Sequence, residues 1–84
     1  RRGFGPLRIR AELEQRGVAD PVIAAALERA HPDWEDLLVE AASRKFGEQP
    51  GYDLRDLARR GRFLEQRGFP ISLIRRHLER IRGF

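Results

Sequence analysis

The chain has 84 residues with no cysteine, and its 17 basic against 13 acidic side chains give a formal charge of +4. That length allows one small domain or a short repeat array with a modest core, and the missing thiols exclude disulfides, thiolate nucleophiles and cysteine-ligated zinc. No apolar run approaches the roughly 20 residues that cross a bilayer, and nothing at the start resembles a signal peptide, so we expect a cytoplasmic protein without a membrane partner.

The opening RRGFGP reads like the end of an earlier element, which makes the chain look like a fragment of something longer. Gly5-Pro6 opens the first helix, because proline in the first turn loses only an N–H that would be unpaired there anyway. Leu7, Arg10 and Leu13 share a stripe with Ile9 beside it, and Gly17 ends the run as a C-cap. Asp20-Pro21 starts a second helix, with aspartate as N-cap and proline just inside. Its apolar stripe is Val22, Ile23, Ala26 and Leu27, and it stops near Ala30-His31-Pro32.

Asp33 caps a third helix, about residues 34–46, with Glu35 and Asp36 in the first turn and Arg44 and Lys45 in the last, matching the dipole at both ends. Trp34, Leu37, Leu38, Ala41, Ala42 and Phe46 form its inward stripe. After the polar loop Gly47–Gly51, a fourth helix runs from about Asp53 to Arg67, with Leu57, Ala58, Gly61 and Leu64 inward. Pro70 leads a fifth, about residues 71–82, where Ile71, Ile74, Leu78 and Ile81 lie in a narrow arc at spacings of three and four. No segment alternates like a strand, so the fold class is all-α.

Residues 12–29 return at residues 63–80 with nine of eighteen pairs identical, including the unbroken run Leu13-Glu14-Gln15-Arg16-Gly17 against Leu64-Glu65-Gln66-Arg67-Gly68. Such a copy marks one helical module used twice. Residues 33–84 hold a complete three-helix repeat, and residues 1–32 the remainder of a preceding one. The expected architecture is therefore tandem three-helix repeats, about five helices in an elongated or curved array. Arrays of this kind present long surfaces and rarely enclose a catalytic pocket, which points toward binding.

Charge is segregated along the chain. Residues 1–11 hold four arginines and no acid, residues 12–54 four bases and ten acids, and residues 55–84 nine bases and three acids. The last third contains Arg55, Arg59, Arg60, Arg62, Arg67, Arg75, Arg76, Arg80 and Arg82. Arg55, Arg59 and Arg62 fall at helical spacing on one face of the fourth helix. With so few acids nearby, pairing within that third cannot neutralise the set, and uncompensated like charge favours an external anionic partner. Candidate contact residues are Arg8, Arg10, Arg16, Arg55, Arg59, Arg62, Arg67, Arg75, Arg76 and Arg80. Arg16 and Arg67 occupy matching turns; each also reads structurally, as a cation at a helix C-terminus before a left-handed glycine. Trp34 and Phe63 read more readily as packing than as base-stacking platforms.

Catalysis finds little support. His31 and His77 occupy unrelated positions without metal-ligand spacing and read as surface or cap residues. Ser43 and Ser72 have no neighbouring base, and Glu35, Asp36 and Glu40 read as dipole complements on a solvated face. Gly3 and Gly5 form a G-x-G with no preceding strand. No enzyme, metal, cofactor or small-molecule substrate is expected. Direct DNA binding through the Arg-Gly turns, as helix-turn-helix elements, is the alternative. Ala24, Ala25 and Glu28 suit base reading poorly, so such binding would be weak and non-specific. A purely structural helical adaptor is a third reading.

Several stretches carry a family resemblance: Gly5-Pro6-Leu7-Arg8-Ile9-Arg10, Glu12-Leu13, Arg16-Gly17-Val18, Ala42 to Phe46, Arg62-Phe63-Leu64, Arg67-Gly68-Phe69 and Leu73-Ile74. With them the chain resembles the C-terminal part of the RecX family, bacterial regulators of the RecA recombinase. The resemblance implies three tandem three-helix repeats, of which this chain would hold the latter part of the second and all of the third. It also implies a regulator that lies in the groove of the RecA filament on single-stranded DNA, bridges protomers and limits ATPase, strand-exchange and coprotease activities. Weak contact with single-stranded DNA belongs to the same expectation. A chain lacking the first repeat would span less of that groove.

Overall fold

The computed structural model describes residues 3–30 and 33–84; Arg1, Arg2, His31 and Pro32, with the readings placed on them, lie outside the described residues. Five helices follow in order: α1 (Pro6–Gln15), α2 (Asp20–Ala30), α3 (Trp34–Phe46), α4 (Leu54–Gln66) and α5 (Ile71–Ile81). No strand occurs among the described residues; one isolated parallel bridge joins Gly51 to Arg82. The molecule measures 44 × 20 × 20 Å. Its radius of gyration, 13.9 Å, exceeds the roughly 12 Å of a compact chain this long. The array is elongated, as the repeat implies.

Aspartate side chains set the starts of α3 and α4. The Asp33 carboxylate accepts from Glu35 N at 3.0 Å and Asp36 N at 3.4 Å, and Asp53 accepts from Asp56 N at 2.8 Å. Each satisfies donors that the first turn leaves unpaired. Asp20 behaves differently from expectation. It is already helical, and the ladder begins one residue earlier, with Ile23 N donating to Ala19 O.

Helices α3, α4 and α5 enclose the core: Leu38, Ala41, Ala42, Leu64, Phe69 and Ile74 are buried, flanked by Leu37, Phe46, Phe63, Leu73 and Leu78. The α1–α2 pair is thinner. Ile23, the repeat partner of Ile74, is fully buried, yet α1 buries nothing completely, and Leu7 and Val22 stay exposed.

One inward assignment on α4 is corrected. Ala58 faces solvent, whereas Asp56 and Arg60 are buried. Arg60 Nε donates to Asp56 Oδ2 at 3.1 Å, and its other nitrogens donate to Gln49 O and Pro50 O. The Arg60 guanidinium thus pins the 47–53 loop, and it leaves the exposed basic set. Burial works against the Asp56 charge, but hydrogen bonds from Arg59 and Tyr52 N, with the two arginine charges, outweigh it and hold the carboxyl below 3.8. His77 is also corrected: it is buried, at the edge of a small cavity beside Arg60 and Ser43. On α5, Ile71 stays 55% exposed and only Ile74 of its apolar arc is completely covered.

The duplicated turns fold alike. Gly17 N donates to Glu14 O and Val18 N to Leu13 O; Gly68 N donates to Glu65 O and Phe69 N to Leu64 O. Each is a Schellman cap around a left-handed glycine, at φ 84° and 92°. Their surroundings differ. The second turn receives the start of α1: Gly5 N donates to Arg67 O at 2.7 Å, Leu7 N to Gly68 O at 2.9 Å, and Arg8 Nη1 to Gln66 O at 3.2 Å. The free N–H groups of one helix thereby satisfy the free carbonyls of another, dipole to dipole. No side chain fits between them, since a Cβ on Gly5 would lie 2.6 Å from Gly68 O. Around Gly17 there is open space.

Candidate partner-binding surface: arginines interleaved with aromatic rings

This junction organises the first group of cations. Phe4, just before α1, lies under the Arg8 guanidinium at 4.7 Å and under Arg67 at 4.9 Å. Arg67 lies equally close to Phe63, 4.9 Å from its centroid, so one guanidinium contacts two rings. Lys45 Nζ lies 5.6 Å from the same Phe63 ring. Phe63 meets Phe46 edge to face at 5.4 Å, and Arg59 and Arg60 cover Phe46 at 4.9 and 5.2 Å. Cations and rings therefore alternate from α1 across α4 to α3. Each exposed contact of this type is worth about 0.5–1 kcal/mol, and desolvated ones about 2. Phe63 is thus packing, as its sequence context suggests, but packing that holds cations in place.

A second group lies on α5 and is partly neutralised. Glu35 of α3 pairs with Arg80 at 2.8 Å and Arg76 at 3.4 Å, while the arginine side chains remain 57% and 58% exposed. Internal pairing across segments is what the local count of acids missed. Glu35 comes from the acidic middle of the chain, and Asp56 takes both Arg59 and Arg60. Four of the nine C-terminal arginines are satisfied this way.

The remaining candidates divide further. Arg55, Arg62 and Arg75 are exposed and pair with no carboxylate among the described residues. Arg82 is exposed, stacked on Phe84 at 4.3 Å. Arg8 is tied to Glu12 at 3.6 Å, Arg10 is half-buried, and Arg16 is the exposed C-cap of α1. The structure thus joins Arg8 with Arg67, and Arg76 with Arg80, without gathering all ten on one face. Sequence reasoning passed over Arg44 and Lys45, which line a cleft with Arg67. Their position in the last turn of α3 had a sufficient explanation in the helix dipole. The recurrence of phenylalanine near arginine (Phe4, Phe46, Phe63) is the signal that would have flagged them.

Among the described residues no group of three His, Asp or Glu side chains could hold a metal ion, and no helix is long and apolar enough to cross a membrane. Compared with known families, residues 1–27 match RecX, second three-helix domain, and residues 33–78 match RecX, third three-helix domain. The chain belongs to the RecX family. It is 46% identical over 78 residues to the regulatory protein RecX of Pseudomonas savastanoi pv. phaseolicola, covering 93% of this chain and 50% of that protein. It is 49% identical over 74 residues to the regulatory protein RecX of Chromohalobacter salexigens, covering 88% and 48%. With the RecX of Halorhodospira halophila the identity is 45%, covering 88% and 46%. The chain spans about half the length of these curated relatives. No solved structure matches it.

The stretches that carried the RecX resemblance gain a physical reason from the junction. Gly5-Pro6-Leu7-Arg8 supplies the side-chain-free approach, the preset helix start, one donor and the guanidinium. Arg67-Gly68-Phe69 supplies the stacked cation, the left-handed turn and a fully buried ring.

Proposed function

We propose that this RecX chain is a non-catalytic, cytoplasmic regulator that docks in the groove of the RecA filament on single-stranded DNA. There it would limit ATPase, strand exchange and coprotease activity. Family membership supports the regulator role. The observation that carries the docking mode is an elongated array whose exposed arginines outnumber the carboxylates that reach them. Arg55, Arg62 and Arg75 keep their full charge for a partner, and Arg8, Arg10, Arg16, Arg59, Arg67, Arg76 and Arg80 extend that surface. In this reading residues 1–32 and 33–84 act as successive repeats that touch neighbouring protomers. Contact with single-stranded DNA is weak, non-specific and secondary.

The decisive measurement is RecA's DNA-dependent ATPase titrated with the chain, then with Arg75→Glu/Arg76→Glu. Charge reversal should abolish inhibition and retention on sedimented RecA filaments. Unchanged inhibition by the reversed variant would place the docking face elsewhere. Retention on naked single-stranded DNA equal to that on filaments would favour a plain DNA-binding module, with a steep salt dependence.

A further inference from the structure

Between α3 and α4 lies a cleft of about 210 Å³, floored by Ala41 and Phe63 and rimmed by Arg44, Lys45, Arg67 and Glu40. We infer that this cleft is a phosphate site that takes the backbone of single-stranded nucleic acid.

The Arg67 guanidinium lies against two rings, Phe4 and Phe63, each 4.9 Å from its carbon, and such cation–π contact spends no hydrogen bond on a carboxylate. Among the described residues no carboxylate pairs with it and no acceptor takes its side-chain hydrogens, though the residue is half-buried. A planar fork held rigid by two rings, with its donors unspent, is pre-organised for the paired oxygens of a phosphate. The carbonyls at the end of α4 would otherwise repel an anion. They are occupied: Gln66, Arg67 and Gly68 accept from Arg8, Gly5 and Leu7.

Lys45 adds a point charge 5.6 Å from the centre of the same Phe63 ring, with no carboxylate partner among the described residues. Arg44 is loosely held by Glu40 at 3.7 Å, with both side chains half exposed or more. That pair is a weak latch which an entering phosphate would displace. Gly3 lines the cleft close beside Arg67, where a Cβ would lie 2.8 Å from Nη1.

Shape and lining select the ligand class. A phosphate in this concavity would rest its flanking sugar on the apolar floor, and the next cations, Arg8 beyond Phe4 and Arg59 beyond Phe46, continue the positive track outside. A flexible strand can dip one phosphate into the cleft while its neighbours follow that track. A duplex presents its phosphates on a stiff convex surface. An acidic peptide lacks the sugar for the floor. The proposal deepens the regulator reading above by giving strand contact a location, and its test omits RecA so that the two can fail separately.

The test is fluorescence anisotropy of a labelled single-stranded oligothymidylate, about 20 nucleotides long, titrated with the 84-residue chain at two salt concentrations. Lys45→Gln should weaken binding about 3- to 10-fold and lower the salt slope by about 0.7. Glu40→Gln should tighten it about 2- to 3-fold by removing the competing carboxylate. Arg29→Gln, an exposed cation remote from the ladder, should change little. Arg67→Gln should show the largest loss; because it also loses two ring contacts, its circular dichroism melt is compared first. If it is unfolded, Lys45→Gln and Glu40→Gln decide. The inference is overturned if Arg29→Gln weakens binding as much as Lys45→Gln, if Glu40→Gln fails to tighten it, or if poly-glutamate or duplex competes as well as unlabelled strand. Competition by millimolar inorganic phosphate at the Lys45 and Arg67 resonances, with poly-glutamate inert, would support it.

Discussion

The paired turns offer a controlled experiment that the molecule itself has set up. Gly17→Ala and Gly68→Ala place the same methyl group in the same Schellman turn at nearly the same positive φ, 84° and 92°. At Gly17 nothing lies within 4 Å, so the cost is the left-handed backbone alone, about 1–2 kcal/mol. At Gly68 the new Cβ overlaps the backbone nitrogen and Cβ of Arg8, atoms that cannot swing away. The start of α1 must lift off and surrender its three hydrogen bonds to Gln66, Arg67 and Gly68. At about 1 kcal/mol each these add about 3, for a total near 4–5 kcal/mol. An unfolding entropy of about 2.1 cal/mol/K per residue converts these costs to losses of roughly 5–10 °C for Gly17→Ala and over 20 °C for Gly68→Ala. Urea midpoints measure the stabilities, and amide exchange at Gly5 and Leu7 reads the junction directly. Both amides should exchange slowly in the parent and in Gly17→Ala, and rapidly in Gly68→Ala. Equal destabilisation by the two substitutions, or a Leu7 amide still protected in Gly68→Ala, would refute the docking of α1 on α4.

Other predictions follow from burial and charge. Leu64→Ala, at a fully buried position where all three C-terminal helices meet, should cost about 2–5 kcal/mol by urea denaturation, against under about 0.5 for Ala58→Gln. Glu35→Gln should cost less than about 1 kcal/mol, since its pairs with Arg76 and Arg80 are over half exposed on the arginine side; by freeing both cations it should raise retention on RecA filaments, and a drop would mean that Glu35 positions them. His77 is held below 6.5 first by burial, then by the charges of Arg60 and Arg80, against an opposing pull from Glu35. Because the unfolded chain then binds the proton first, stability is complete above 6.5 and declines as pH falls below it, a slope that His77→Gln should remove from urea midpoints between about pH 7.5 and 5. Asp56, held below 3.8, contributes stability above that value which disappears only in stronger acid, so the two groups give separate steps. Amides of α1 and α2, where Ile23 alone among the described side chains is fully buried, should exchange faster than those of α3–α5.

Much of this architecture was legible because the signals were local. Asp33 before an apolar run and glycine after one set helix ends whatever the tertiary context, and the period-3.6 stripes found Leu38, Ala41, Leu64 and Ile74 correctly. The failures are long-range. Ala58 and Arg60 differ by two positions on α4, and hydrophobicity alone turns the alanine inward. The structure buries the arginine because Asp56 one helical turn earlier and the carbonyls of Gln49 and Pro50 accept from all three of its nitrogens, and a loop's need for donors is invisible in a helical wheel. His77 likewise lies inside because α3 and α4 close over it. The acid count misjudged the C-terminal third because Glu35 reaches it from another helix, 41 and 45 residues away in sequence.

These pairings change what a basic surface means here. A tally of guanidiniums treats Arg60 and Arg62 alike, yet one is a structural strut and the other is solvated. Three classes emerge: arginines consumed by the fold (Arg60), exposed arginines leashed to a single carboxylate (Arg8, Arg59, Arg76, Arg80), and arginines with no acidic partner among the described residues (such as Arg55, Arg62, Arg67, Arg75 and Arg82). Only the last class offers its full charge without first giving up an interaction, so it should dominate the on-rate and the salt dependence of any anionic partner. Arg67 stands apart even there, because two phenylalanines immobilise it and the side-chain entropy that binding ordinarily costs is largely lost on folding. The same two rings come from the segment before α1 and from α4. Lifting α1 off would therefore loosen the one cation that the junction holds ready, and the integrity of the repeat array and the quality of its anion site should rise and fall together.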